Sequence, residues 1–290
     1  VIDSIGEWDT VSFWLYENQE LKLLESLKYP FSIGLFYSAF TQHVGLKPNE
    51  DEYILMGMSS FGVPLYTEYI KDVFNFDLNK KYMYNYNFHK GVQKKIWLGN
   101  KVNLAASIQN IFEDMLYELV KKVKKYQEKF QTENFIYSGG IALNCLANSR
   151  IMLENFTNIF IFPNPGDCGT SLGAALVENR SFVDFDSIYL GHNIKGQINI
   201  DNLVDDIIKN KIVGLAIGRA EFGPRALGNR SLLADPRYLD VKDKVNEIKK
   251  REKFRPFAPI ILEEKFNDYF ETNGRKNSPY MQYVFKCKYP

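Results

Sequence analysis

Along residues 101–130, apolar side chains recur at three- and four-residue steps: Val102, Ala105, Ile108, Phe112, Met115, Leu119 and Val123. That spacing draws one apolar stripe down a long amphipathic helix, which needs a core to pack against. The period then changes. "NFIYSGG" is a short apolar run closed by glycines, a buried strand entering a turn, and "IALNCLANSRIML" reads as the helix that follows. "NIFIFPNPGDCGTSLGAALVEN" repeats the plan of strand, Pro/Gly loop and helix. Two such units in series predict an α/β domain whose loops gather at the C-terminal edge of its strands.

"SFVDFDSIYLGHNIKGQ", residues 181–197, has less helical periodicity and reads as a connection, so the expected domains are residues 1–185 and 186–290. In the second, "KIVGLAIG" is the clearest strand and "SLLAD" another, "VKDKVNEIKKRE" is a charged helix, and "APIILEE" a strand ending in acid. The two ends, "VIDSIGEWD" and "YMQYVFKCKYP", fall inside apolar, β-like runs, so the natural chain is expected to be longer at both.

Composition narrows the function classes. The 290 residues are 45% hydrophobic and 24% charged, which suits folded cores and excludes a disordered chain. Lys plus Arg number 36 against 35 acids, a net charge of +1, which argues against a broad surface for nucleic acid or anionic lipid. Any anion must be bound locally. Cys145, Cys168 and Cys287 form no CxxC pair and no secreted framework, and no apolar run approaches membrane-spanning length, so a cytoplasmic setting is expected.

Three loops carry candidate chemistry. Gly139 and Gly140 stand between a strand and a helix, where backbone N–H groups favour an anion such as a nucleotide phosphate; the alternative is a tight turn that lets strand and helix pack closely. Asp167, between Gly166 and Gly169, either projects a carboxylate for a divalent cation or a ribose hydroxyl, or caps the helix after it. Asp3 closes an apolar run, either as a metal-binding carboxylate or as a turn former before Gly6. His43, His89 and His192 have no ligand spacing and are expected to be structural or exposed.

The third loop is "EFGPRALGNRSLLADPR", residues 221–237, preceded by Arg219 and followed by "KKREKFRPFAP". Arg219, Arg225, Arg230, Arg237, Lys249 and Arg255 supply rigid or mobile cations, and Gly223 and Gly228 allow close backbone approach. Buried unmatched charge is costly, so these groups call for a multiply charged anionic ligand. The competing expectation is a solvated face or internal pairs with Glu221, Asp235 and Glu252.

These segments together resemble the O-carbamoyltransferases that decorate nodulation factors and antibiotics: "GEW", "SIGLFYSAFTQHVGLKPNEDEYILMGM", "YSGGIALNCLAN", "NPGDCGTSLGAA", "GRAEFGPRALGNRSLLADPR" and "REKFRPFAPIILEE" occur in the family's order. The resemblance implies an α/β protein with an actin/sugar-kinase-like (ASKHA) domain, similar to the threonylcarbamoyl-transfer enzyme, followed by an α/β threonylcarbamoyl-adenylate-synthase-like domain. It implies that carbamoyl phosphate and ATP, with Mg2+, give carbamoyl-adenylate, and that an acceptor hydroxyl then displaces AMP. Arg225, Arg230, Lys249 and Arg255 would form the catalytic cradle. Gly139, Gly140, Asn144, Arg219, Glu221 and Ser231 would bind the nucleotide, and Asp3 and Asp167 would be the aspartate ligands of an Fe2+-type metal whose two histidines the family places before Asp3. Ser4 stands where the family usually has glycine and Ile54 where it has lysine. Two further expectations compete: a non-catalytic nucleotide-binding module of the same fold, and a sugar-kinase-type phosphotransferase.

Overall fold

The computed structural model describes residues 1–94, 96, 99–179, 185, 187–272 and 274–289. Contacts divide the chain into Val1–Asp167 and Cys168–Pro290, so the helix after the second glycine loop groups with the second unit. The connection expected between residues 185 and 186 falls partly outside the described residues.

The first unit opens with an antiparallel meander, β1 (Ile2–Gly6), β2 (Asp9–Glu17) and β3 (Glu20–Lys28). The β2–β3 register pairs Val11 with Leu27 but Trp14 with Leu23, because the pairing shifts after Phe13. Val11, Phe13 and Leu27, before the shift, face the core, whereas Leu23, which strict alternation would place on the same face as Leu27, is exposed opposite Trp14 after it. Ser32 starts α1 (Ile33–His43) by accepting the Leu35 N–H at 3.1 Å. Then come α2 (Glu52–Ser59), α3 (Thr67–Phe74) and α4 (Lys101–Phe130).

The α4 stripe expected from periodicity forms. Asn100 caps it through bonds to the Val102 and Asn103 amides, and Gln131 in the left-handed region ends it. Leu104, Ile108, Ile111, Phe112, Met115 and Leu116 are fully or almost fully buried, each worth about 1.5–3 kcal/mol of transfer from water. Two parallel strands follow, β4 (Asn134–Tyr137) and β5 (Asn158–Ile161), and the Ile2 N–H donates to the Ser138 carbonyl at 2.9 Å, which brings β1 beside the end of β4.

The helix expected over residues 141–153 is broken. A tight turn at Gly140–Leu143 ends at Asn144, whose backbone leaves the helical region while its side chain caps a fresh start at Ala147; a wide turn at Asn148–Met152 follows.

In the second unit, α5 (Thr170–Asn179) and α6 (Ile200–Asn210) accompany small two-stranded antiparallel sheets, one of them Phe270–Glu271 with Lys286–Cys287 near the end of the chain. A second pairs β6 (Asn193–Ile194) with β8 (Gly218–Arg219); a third pairs β7 (Ile212–Ala216) with β9 (Arg230–Ala234). The charged helix forms as α6's successor, α7 (Val241–Ile248). "APIILEE" is not a strand: Pro259 has no N–H for a ladder, and Ile260 and Leu262 are exposed. Among the described residues of this unit only Ile188, Val245 and Phe266 are apolar side chains that reach full burial, so its core is thin.

Candidate functional site

In the first unit, β1, the glycine turn after β4 and the loop after β5 meet at one place. Gly139 adopts φ +101°, and a Cβ there would stand 2.0 Å from the Ile2 carbonyl oxygen. Only glycine permits this contact. The Gly139 N–H donates to the Pro165 carbonyl at 2.9 Å, and a Cβ on Gly166 would lie 3.7 Å from the Gly140 Cα. Asp3 crosses the junction: its Oδ1 accepts the Ser4 N–H at 2.7 Å and its Oδ2 the Gly140 N–H at 3.1 Å. Both glycine amides are thus used inside the protein, as the close-packing reading of this turn requires.

Tyr137, at the end of β4, is fully buried; desolvation, then the Asp3 charge, push its phenol well above the usual range. Asp167 is exposed and opens the short turn Asp167–Gly169. Among the described residues no three His, Cys, Asp or Glu side chains gather in a cluster able to hold a metal ion.

Asn144 is nearly buried, in a polar network that periodicity does not disclose. It exchanges two amide hydrogen bonds with Gln109, both 3.1 Å. Gln109 also accepts from the Tyr37 hydroxyl at 2.8 Å and donates to Glu113 at 2.9 Å, and Arg150 closes the chain on Glu113 at 3.1 Å. Burial pushes the Glu113 carboxyl up, only partly opposed by Gln109 and Arg150. Gln109 and Glu113 lie one turn apart on α4, but Tyr37, Asn144 and Arg150 lie far from them in sequence, which left no local signal for the network.

The second unit presents the arginine loop. Glu221 organises it: one carboxylate oxygen accepts the Leu227 and Asn229 amides, each at 2.8 Å, and the Arg230 amide at 3.3 Å. Desolvation raises this carboxyl, but the backbone bonds outweigh it and hold the group below its ordinary value. Ser231 accepts the Gly228 N–H at 3.0 Å. Arg230 spends its guanidinium on backbone carbonyls, those of Ile217, Asn229, His192 and Gly218 at 2.7–3.2 Å, and so ties the loop to the ends of the β6–β8 and β7–β9 pairs.

Two of the three internal ion pairs weighed from the sequence form. Asp235 holds Arg237 through two forked bonds, and Glu252 meets Arg255 at 2.8 Å. Glu221 takes backbone amides instead. Asn246, fully buried and unnoticed in the sequence, donates to the Lys253 and Arg255 carbonyls, each at 3.1 Å, and accepts from Arg251 at 2.6 Å. It staples "KKREKFR" to the end of α7. Arg225 is half-buried between Gly223 and Gly228, Arg219 lies exposed on β8 with a single 3.5 Å bond to the Leu190 carbonyl, and Lys249 is exposed at the end of α7. The site residues therefore form two groups, Asp3 with Gly139 and Gly140, and the arginine loop with Glu221, Arg230 and Ser231.

Comparison with known proteins gives these groups a common context. Residues 1–176 match the profile of the carbamoyltransferase N-terminus and residues 204–290 that of the carbamoyltransferase C-terminus. An uncharacterised Synechocystis protein is 35% identical over 98% of this chain and 54% of its own length, and a Methanocaldococcus jannaschii protein 30% identical over 99% and 55%. The nodulation protein NolNO of Sinorhizobium fredii is 30% identical over 98% of this chain and 47% of its own length. The chain spans about half the length of these relatives. With both profiles matched in order across the two site groups, this chain belongs to the O-carbamoyltransferase family.

Proposed function

We propose that the protein forms carbamoyl-adenylate from carbamoyl phosphate and ATP and transfers the carbamoyl group to a hydroxyl of a sugar or secondary metabolite. The observation that carries this reading is the arginine loop: Glu221 and Arg230 fix both of its ends, so Arg225 is presented on a rigid support. A guanidinium held that way grips carbonyl and phosphate oxygens in two-pronged fashion and offsets charge on a departing phosphate or pyrophosphate. Arg230 acts here as a clamp on the loop, and Ser231 and Glu221 as its supports. In the first half, water cleaves the bond from the phosphorus of carbamoyl phosphate to the carbamoyl oxygen and phosphate leaves; the carbamate oxygen then bonds to the α-phosphorus of ATP as pyrophosphate leaves. In the transfer half, the acceptor oxygen forms the bond to the carbamoyl carbon, the bond from that carbon to the AMP phosphate oxygen breaks, and the hydroxyl proton is released. The β1–β2–β3 meander with β4 beside β1 and β5 beyond supports the actin/sugar-kinase-like reading of the first unit.

An Fe2+-type ion is not fitted by the described side chains: Asp3 is already bonded to two backbone amides and has no cluster of further ligands around it. Full-length protein supplied with ATP, Mg2+, Fe2+ and carbamoyl phosphate is expected to release pyrophosphate only when carbamoyl phosphate is present, with carbamoyl-adenylate detected by mass spectrometry. Arg225→Ala should lower that rate by about a hundredfold or more. Full activity of the variant would reject the assigned role.

The extent to which the cations are internally satisfied, at Arg230, Arg237 and Arg255, favours a second reading, a nucleotide-binding module without transfer activity. ATP binding by folded protein without any adenylate would select it.

A further inference from the structure

A cavity of about 540 Å3 lies in the first unit, where β3 runs into α1 and α3 into residues 75–86; its lining includes none of the residues of the glycine junction. Its inner wall is aromatic: Phe31, Phe74 and Tyr84 are buried there, with Phe31 and Tyr84 ring centres 4.8 Å apart. Tyr84 is fixed by two bonds to Ser32, accepting its N–H at 3.0 Å and donating to its carbonyl at 2.5 Å. Tyr29 and Tyr82 stand at the rim, Tyr82 with 43% of its surface exposed and edge-on to Phe31.

The polar lining is short; its charged residues, Lys28, Asp77 and Lys80, sum to +1, which Asp9 beside Lys28 balances. Asn75 and Asn85 present exposed amides, and Asp77 a carboxylate. Lys80 pairs with Asp77 at 3.3 Å, and Lys28 pairs with Asp9 at the same distance, so neither ammonium is left as an unmatched charge for a phosphate. Rigid ring faces beside amide and carboxylate hydrogen-bonding groups, without net charge, suit a ligand with apolar C–H faces and a hydroxyl-bearing edge. The volume falls within the usual range of small-molecule sites, roughly 300–1,000 Å3. The cavity also has a physical link to the glycine junction. Ser32, held by Tyr84, donates from its hydroxyl to the Ser4 carbonyl at 2.5 Å, next to Asp3 on β1.

We propose that this cavity binds a neutral saccharide ring, stacked on Tyr82 and hydrogen-bonded by Asn75, Asp77 and Asn85, as a recognition site for the acceptor. Its use in acceptor recognition rests on the proposed carbamoyl transfer; the binding does not. Saturation-transfer NMR and calorimetry on the folded chain would use glucose, N-acetylglucosamine and methyl mannoside as probes, with AMP and inorganic phosphate as anionic comparisons. At least one sugar is expected to bind. Tyr82→Ala should weaken it about tenfold by removing the stacking face, whereas Tyr82→Phe should retain it. Asn85→Ala supplies an independent variant, and circular dichroism reports that each is folded. Absence of binding by all three sugars, binding unchanged in Tyr82→Ala and Asn85→Ala, or displacement of the sugar by AMP or phosphate would overturn the proposal. Sugar binding without adenylate formation would leave the cavity site standing and reject the reaction; adenylate formation without sugar binding would do the reverse.

Discussion

At Gly139 a single methyl group would collide with the Ile2 carbonyl and would have to be carried at φ +101°. Gly139→Ala is therefore expected to destabilise the first unit by at least about 1–3 kcal/mol, the cost of the backbone strain alone, measured by urea unfolding. Glu221 sets a second test. Its folded carboxyl titrates below its unfolded value, so its contribution is complete above the unfolded pKa, near 4.3, and is lost as pH falls through the lower folded value. Protection factors at Leu227 and Asn229, with the intrinsic pH dependence of exchange divided out, should fall across that acid window and stay constant through it in Glu221→Gln. Protection that stays constant in the native protein would show that the carboxylate is not what holds the loop.

Among the elements, α4 was the most legible from the sequence, because its stripe repeats along the helix and Ala105, Ile108, Phe112, Met115 and Leu119 are buried as that period requires; residues 104–109 are buried on every side, which the stripe does not foretell. The segment after Gly140 was not, because its breaks come from Asn144 acting as a cap and bonding to Gln109 on α4, and no window of neighbouring residues contains that pair. The same limit applies at the arginine loop. Its cations and glycines are visible in the sequence, but the sequence does not say that Arg230 faces carbonyls while Glu221 faces amides.

The α4 network gives two measurements. Gln109→Ala strands the Asn144 amide and the Tyr37 hydroxyl, and should lower stability by about 2–4 kcal/mol. Glu113 has a raised folded pKa, so between its unfolded value and that higher value the folded state holds more protons and wild-type stability falls as pH rises. Glu113→Gln has no such loss, and its stability relative to wild type should climb with pH through that interval. A constant difference would argue against a buried, proton-retaining carboxyl.

Taken whole, the chain is uneven. Residues 1–167 bury α1, α4 and the inner faces of β1 to β3, whereas residues 168–290 rest on small sheets, single polar staples such as Asn246, and few fully buried apolar side chains. Calorimetry should resolve two transitions, the lower one accompanied by loss of amide protection in β7 and β9. One transition followed by every amide would mean that the units unfold together.

On the proposed function, the thin core of residues 168–290 would tie turnover to ligand supply. A ligand that binds the folded arginine loop at a hundred times its dissociation constant adds about 2.7 kcal/mol, a large gain for a region with so little apolar burial. Where cleavage follows the open population, that gain lengthens survival against a protease by the factor one plus the ratio of free ligand to its dissociation constant, so if the loop binds the proposed substrate, this half of the chain would last longest when that substrate is plentiful.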